Sequence, residues 1–374
     1  MSKRINAAKL LGKMETAGLS QADVAKALNV SREAVSKWFK GTNVPRPDKL
    51  LRLALLVDLG VSDLLIRDSV GKPVVAFRKK GSAKTTAEHI ARAERMGMLL
   101  KPLVEYLPFD EFVRPASLKN PTLDYSYLQG LVSRIRSEIG VANDQPLDFN
   151  HLIKRFTDTQ TVLVPVLWGK KGHHENALHI FLPDSTTTWV FLNLDVDVHD
   201  FKFWMAHELG HVLAPDLRGN EAEDFADAFA GALLLPDQAA GRAYREVARQ
   251  TDQGRQINTI KLLAEEFLIS PYGVYKQANA YAAANGLRPM NLEPAIHGAS
   301  KNLSKGYFSV SESLFGGSTV EPAALIEFGR TQLGSPFFEA LASYLRASKK
   351  SAGFIQSALD LPALDARALH DALV

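Results

Sequence analysis

The chain of 374 residues contains no cysteine. Disulfides, iron–sulfur clusters and thiolate zinc sites are therefore excluded, and any metal site must use nitrogen and oxygen ligands. Long apolar runs are also missing, because the most apolar stretch, residues 50–66, carries Arg52, Asp58 and Asp63 and is too short and too charged to span a bilayer. Residues 1–13 lack the apolar core of a secretion signal. We therefore expect a cytoplasmic protein with no membrane partner.

Net charge is also small, only +3 at neutral pH, but it is unevenly distributed. Residues 1–100 carry 19 Lys and Arg against 9 Asp and Glu, whereas the remaining residues carry 25 against 32. A basic N-terminal part ahead of an acidic remainder indicates that the N-terminal part contacts a polyanion.

The basic part shows a pattern of short helices within residues 4–66. Ser20 is a suitable N-cap for one helix and Ser31 for the next, with a tight turn at Asn29 between them. The side chains expected to point inward are Val24, Ala25, Leu28, Val35, Trp38 and Phe39. Two short helices joined by a brief turn are typical of a helix-turn-helix.

The stretch LSQADVAKALNVSREAVSKWFKGTNVPRPDKLLRLALLVDLGVSDLL resembles the phage-repressor (XRE-type) helix-turn-helix family. The resemblance implies that residues 31–40 form a helix that enters the major groove of a double-stranded DNA operator. Arg32, Glu33 and Lys37 then read base edges, and Gln21 grips a phosphate. The alternative is a helical module that binds protein through the same solvated residues. Because such modules usually read paired half-sites, we expect a homodimer.

The segment HELGH, residues 207–211, has the pattern H-E-x-x-H within a helical stretch. His207 and His211 share one helix face, so both imidazoles can reach one metal ion. Glu208 can be aimed at a water molecule beside that ion. Gly210 is unfavourable inside a helix by about 1 kcal/mol, which predicts that a neighbouring element packs closely against it.

A second helix is expected at residues 221–235, and it offers carboxylates. Zinc held by two histidines needs a third protein ligand, which Glu223 is placed to give. Asp227, one turn later, could accept the free N–H of the first histidine. The helix dipole favours acidic residues in a first turn without any metal, and Glu221 and Glu223 fit that alternative too. Asp227 lies too far into the helix for it.

The segments FKFWMAHELGHVLAP, EAEDFADAFAGALLLP and LLAEEFLISPYGVY resemble the ImmA/IrrE family of gluzincin-like metallopeptidases over residues 126–285. This chain departs from the family's commonest wording at Phe225 and Asp227. The resemblance assigns Glu223 rather than Glu221 as third ligand and Glu208 as catalytic base, around one Zn²⁺ or another divalent metal per chain. It implies cleavage of a repressor, toxin or antitoxin partner. A second group that stabilises the oxyanion is usual in such enzymes, and the candidates are His173, His174, His179 and His199. A surface or packing role explains each of them more readily, so the sequence assigns the oxyanion role to none.

These patterns predict a mainly α (α+β) fold. Residues 1–68 are expected to form a five-helix helix-turn-helix domain, and residues 69–125 a basic, helical linker. Residues 126–290 are expected to form a helical metallopeptidase domain with a small sheet of three strands, at 162–168, 177–182 and 189–194. Residues 291–374 read as a helical region of unknown role.

The leading interpretation is a DNA-binding regulator with a zinc endopeptidase domain, in stress, phage or toxin–antitoxin regulation. The alternative is a transcription factor or antitoxin whose metal domain is a non-catalytic sensor or scaffold.

Overall fold

The computed structural model describes residues 3–5, 7–39, 45–60, 64–67, 72–78, 87–109, 117–169, 176–304, 306–317 and 319–374. The chain divides into two units, Met1–Lys72 and Pro73–Val374. Each unit contains a hydrophobic cluster of its own.

The described part of the first unit holds four helices and two short strands. They are β1 (Lys3–Ile5), α1 (Ala7–Thr16), α2 (Gln21–Ala27), α3 (Arg32–Phe39), α4 (Pro47–Leu56) and β2 (Leu65–Arg67). The two strands pair antiparallel. Helix was expected up to residue 66, so the strand at its end corrects that prediction, because the pairing with residues 3–5 cannot be read from a local pattern. Residues 61–63 lie outside the described residues.

The helix starts in the first unit follow the predicted caps. Ser20 and Asp23 form a capping box at the start of α2, and the hydroxyl oxygen of Ser31 accepts from the backbone N–H of Ala34 at 3.1 Å. Asn29 has a φ of 51°, in the left-handed region that a tight turn uses. Of the side chains expected to point inward, all but Phe39 are buried, and Phe39 packs half-buried on the same cluster.

The second unit is built around a four-stranded sheet. Its strands are β3 (Val74–Arg78), β4 (Val162–Val166), β5 (Ala177–Leu182) and β6 (Thr187–Asn193), in the order β3-β5-β6-β4. Strand β5 is antiparallel to both neighbours, whereas β4 and β6 are parallel. Three strands were expected, and β3 is the additional one. Its sequence runs into a basic, polar stretch, and only the pairing with β5 makes it a strand.

Helices surround this sheet. They are α5 (Ala87–Leu100), α6 (Tyr125–Glu138), α7 (Phe149–Asp158), α8 (Val198–Leu213), α9 (Gly219–Leu234), α10 (Asp237–Ala248), α11 (Gln253–Phe267), α12 (Pro271–Ala284), α13 (Glu293–Ser304), α14 (Val310–Phe315), α15 (Pro322–Thr331), α16 (Phe337–Ser348), α17 (Ala352–Leu359) and α18 (Ala363–Leu373), and a 3-10 helix spans Lys101–Tyr106. The mainly helical fold expected from the sequence is confirmed.

Two regions of the second unit that pack on the sheet lie, in sequence, outside residues 126–290, the expected peptidase segment. Strand β3 and helix α5 fall within the segment 69–125 that was expected to be a linker; both contact β5. Helices α15 and α16, from residues 291–374, pack against β4. Buried side chains of α5, α15 and α16 belong to the same hydrophobic cluster as the sheet, and Val75 of β3 packs half-buried against it. The site helices α8 and α9 pack against each other, α8 against β5 and β6, and α9 against β3.

Among the described residues, no helix combines the length and the apolar character that crossing a membrane requires.

Candidate metal centre

Helix α8 places two histidines of the H-E-x-x-H segment side by side. His207 and His211 are one turn apart, and their Nε2 atoms lie 3.1 Å from each other. Both side chains are buried. The helical spacing of four residues therefore brings two imidazole nitrogens to one point, as the sequence predicted.

Helix α9 brings a carboxylate to the same point. The two carboxylate oxygens of Glu223 lie 3.4 Å from the Nε2 atoms, Oε2 from His207 and Oε1 from His211. One donor atom from each of the three residues lies within 4.8 Å of the other two, a cluster that could hold a metal ion. Glu221, the rejected alternative, is exposed. Two imidazoles and one carboxylate form a donor set that suits zinc with an open fourth position.

Asp227 lies behind the first histidine. Its Oδ1 is 3.0 Å from Nδ1 of His207. A carboxylate accepts a hydrogen bond, so the proton belongs on Nδ1 and the lone pair of Nε2 faces the cluster. The position is the one expected from the sequence.

Close packing of α8 on α9 makes this convergence possible. A Cβ added at Gly210 would lie 2.9 Å from Cα of Ala226 and 3.2 Å from Cδ1 of Phe229. Real Cβ atoms do not approach a backbone atom that closely. The glycine expected to mark a close neighbour therefore lies directly against the backbone of α9.

Two buried cations anchor the site helices to the rest of the unit. Lys202, on α8, donates from Nζ to the carbonyl oxygens of Leu147, at 2.8 Å, and Phe267. Arg136, on α6, donates to the carbonyl oxygen of Leu233 on α9 at 2.7 Å. Burial lowers the pKa of Lys202 to about 8 and that of Arg136 to about 10. No pattern in the sequence predicted a structural role for either residue.

Glu208 lies between the two histidines in sequence and is also buried. Among the described residues, its Oε2 has no hydrogen-bond partner. Burial and the negative charge of Glu223 raise the pKa of Glu208 well above its usual value. A cation near both carboxylates would act in the opposite direction and favour ionised Glu208.

A cavity of about 230 Å³ opens beside the cluster. His211 and Glu223 line it, together with residues 74–76 of β3. His179, on β5, also lines it, with its ring centroid 5.7 Å from that of His211. The cavity gives the cluster a space in which a ligand or substrate group could bind.

The other histidine candidates lie elsewhere or outside the described residues. His199 stacks on Tyr307, with ring centroids 3.8 Å apart, and does not line the cavity. His173 and His174 fall in residues 170–175, outside the described part. The sequence left His179 among four candidates, because only its strand and the partners of that strand decide which way it faces.

The first unit exposes the four residues expected to contact DNA. Gln21 is the first residue of α2, and Arg32, Glu33 and Lys37 lie on α3. Nζ of Lys37 lies 2.8 Å from Oε1 of Glu33, one turn away. This charge pair lowers the pKa of Glu33. Arg32 and Gln21 are also exposed, so a polyanion can reach them.

Comparison with known families agrees with the division of the chain into two units. Residues 13–64 match the family model described as helix-turn-helix, and residues 165–275 match the one described as IrrE N-terminal-like domain. The predicted fusion of an XRE-type helix-turn-helix with an ImmA/IrrE-type domain is thereby confirmed, and residues 165–275 are metallopeptidase-like. No curated protein and no solved structure matches the chain significantly.

Proposed function

We propose that the chain is a DNA-binding transcriptional regulator whose second unit is a zinc-dependent endopeptidase that cleaves a repressor or another partner protein. The observation that carries the proposal is the convergence of His207, His211 and Glu223 within 4.8 Å beside a cavity. The match of residues 165–275 to a metallopeptidase-like family supports it independently.

The residues of the site suit peptide hydrolysis. Zinc, held by the two histidines and Glu223, would polarise the scissile carbonyl and lower the pKa of water toward neutrality. The Glu208 carboxylate accepts a proton from the attacking water and returns it to the leaving amine, so the C–N bond breaks with no net proton loss. Asp227 holds His207 in the required tautomer.

The first unit suits operator binding. Its basic charge balance, its match to the helix-turn-helix family and the exposed side chains at the start of α3 support the role. We infer a homodimer, since paired half-sites are the usual target of such modules. Light scattering coupled to gel filtration, with and without an operator fragment, measures the oligomeric state.

Substituting the proposed base tests the peptidase. Wild type and Glu208→Gln are expressed in cells, and proteins that shorten only with the wild type are identified by N-terminal peptide mass spectrometry. Zinc per chain is measured on both purified proteins. We expect equal zinc and cleavage by the wild type alone. A wild type that keeps its zinc and shortens no protein contradicts the proposal.

The alternative is a regulator whose metal domain acts as a non-catalytic sensor or scaffold. The deep burial of His207, Glu208 and His211 favours it, because a metal ion bound at buried side chains can stabilise the packing of the helices without any reaction. A reporter assay distinguishes the two interpretations. Repression that responds to zinc but not to Glu208→Gln, without detectable cleavage, supports the sensor.

A further inference from the structure

His179 is the one polar residue of strand β5, and its side chain is buried. It lies on β5, opposite Ala76 of β3 and Val190 of β6. Side chains alternate across a strand, so His179 and its neighbour Ile180 face opposite sides of the sheet. Ile180 contacts α5, where a Cβ at Gly97 would lie 2.9 Å from its Cγ2. His179 therefore faces α8, where its ring lies close to that of His211.

The imidazole of His179 has no use in the fold itself. Only 3% of the residue is exposed, and neither Nδ1 nor Nε2 has a hydrogen-bond partner among the described residues. A buried polar group without a partner destabilises a protein, whereas an apolar side chain of similar shape would not. Packing alone therefore gives no reason for histidine at this position.

The ring of His179 lines the cavity but is not one of the three potential metal ligands. His179 lines the same cavity as His211 and Glu223. Among the described residues, however, the group of donor atoms within 4.8 Å consists of His207, His211 and Glu223. A group bound in the cavity against the cluster would have His179 on one side. This placement suits a hydrogen-bond donor to the bound group.

The imidazole ring has the chemistry for that role. In its neutral form it has one N–H to donate and no charge that repels a nearby cation.

We propose that His179 is a catalytic residue that donates an N–H hydrogen bond to the scissile carbonyl oxygen as that oxygen becomes negatively charged. The inference rests on the proposed peptidase function. The water oxygen adds to the carbonyl carbon, Glu208 transfers the proton to the amine nitrogen, and the C–N bond breaks. His179 keeps its proton and lowers the energy of the negatively charged oxygen, as oxyanion-hole donors do.

The test uses the full chain loaded with zinc and a tetrahedral probe, N-phosphoryl-leucinamide. Calorimetry measures the Kd of the probe for wild type, His179→Phe and His179→Gln, with zinc per chain measured on each. His297→Phe, at an exposed position on α13, is the matched control. Phenylalanine keeps a ring of similar size but has no donor, whereas glutamine keeps a donor.

We expect equal zinc in all four proteins and a Kd about 10- to 100-fold higher for His179→Phe, because a hydrogen bond to a charged acceptor is lost. His179→Gln should lose less affinity for the probe than His179→Phe, and His297→Phe should lose none. In the wild type, ¹⁵N NMR of labelled imidazoles should show the N–H signal of His179, assigned through its absence in His179→Gln, shifting when the probe binds.

Equal Kd values for wild type and His179→Phe, or no shift of that imidazole signal, overturn the inference while leaving the peptidase proposal intact. Failure of the zinc-loaded wild type to bind the probe also overturns it. A wild type that retains no zinc overturns both. If the Kd difference appears but no protein is cleaved in cells, the peptidase proposal fails and takes the catalytic role of His179 with it, and only a hydrogen bond from His179 to bound anions is left.

Discussion

Nδ1 of His207 lies 3.0 Å from Oδ1 of Asp227, one turn along α9 from Glu223. One helix thus supplies both a carboxylate that faces the cluster and a carboxylate that orients the opposing imidazole. Asp227 sets the direction of the Nε2 lone pair from the far side of the ring.

Removing this carboxylate should weaken metal binding. We expect Asp227→Ala to lower zinc affinity about 10- to 100-fold, because His207 loses the partner that holds its tautomer and ring orientation. Competition with a chelator of known zinc affinity measures the change. Asp224→Ala, at an exposed position on the same helix, should leave affinity unaltered. Equal affinities for both variants would contradict the role of Asp227.

Gly210 should not tolerate a methyl group, although alanine is the better helix former. The added Cβ would lie 2.9 Å from the α9 backbone, so we expect Gly210→Ala to lower the free energy of unfolding by about 1–3 kcal/mol. Gly130→Ala, on α6 with no atom within 4 Å of the added Cβ, should instead raise it by about 0.5–1 kcal/mol. Urea unfolding measures the free energy of unfolding of both variants and of the wild type. Equal values for the two variants would show that α8 and α9 can move apart without cost.

Lys202 should make stability depend on pH. Its pKa falls from 10.5 to about 8 in the folded protein, so between these values the unfolded chain binds more protons and stability rises with pH. Below pH 8 both states carry the charge. We expect the wild type to gain about 3 kcal/mol of unfolding free energy relative to Lys202→Met between pH 8 and 10.5.

Urea unfolding of both proteins across this range, without added metal, measures the difference. Lys154→Met, at an exposed position on α7, is the control and should stay parallel to the wild type. Parallel curves for wild type and Lys202→Met would mean that Lys202 is solvated in solution.

Arg32 should contribute to sequence discrimination. We expect Arg32→Ala to cost about 1–3 kcal/mol in affinity for fragments that the wild type selects from random DNA, and to relax preference at one base position. Gln21→Ala should lower the affinity for all fragments by the same factor, because a phosphate contact carries no sequence information. Fluorescence anisotropy at fixed salt measures both, with Arg255→Ala, exposed in the second unit, as control. An unchanged preference in Arg32→Ala would remove it from the base readers.

Local sequence patterns by themselves determined several features of this protein. The spacing of His207 and His211 places both on one helix face wherever that helix packs, because 3.6 residues make a turn. Ser20 and Ser31 mark helix starts through hydrogen bonds within their own segments. The absence of cysteine limits any metal site to nitrogen and oxygen ligands. Apart from that compositional limit, each of these features is a property of at most a few consecutive turns.

The tertiary structure decided what depends on partners distant in sequence. Strand β3 exists because β5 supplies its hydrogen bonds, although its own sequence runs into basic residues. Glu223 reaches the histidines rather than solvent because Gly210 lets α9 approach α8. His179 faces the cluster of His207, His211 and Glu223 because strand β5 pairs with β3 and β6 in a register that turns this side chain toward α8. These relationships arise from packing between elements, and a sequence read along one dimension contains the residues but not their distances.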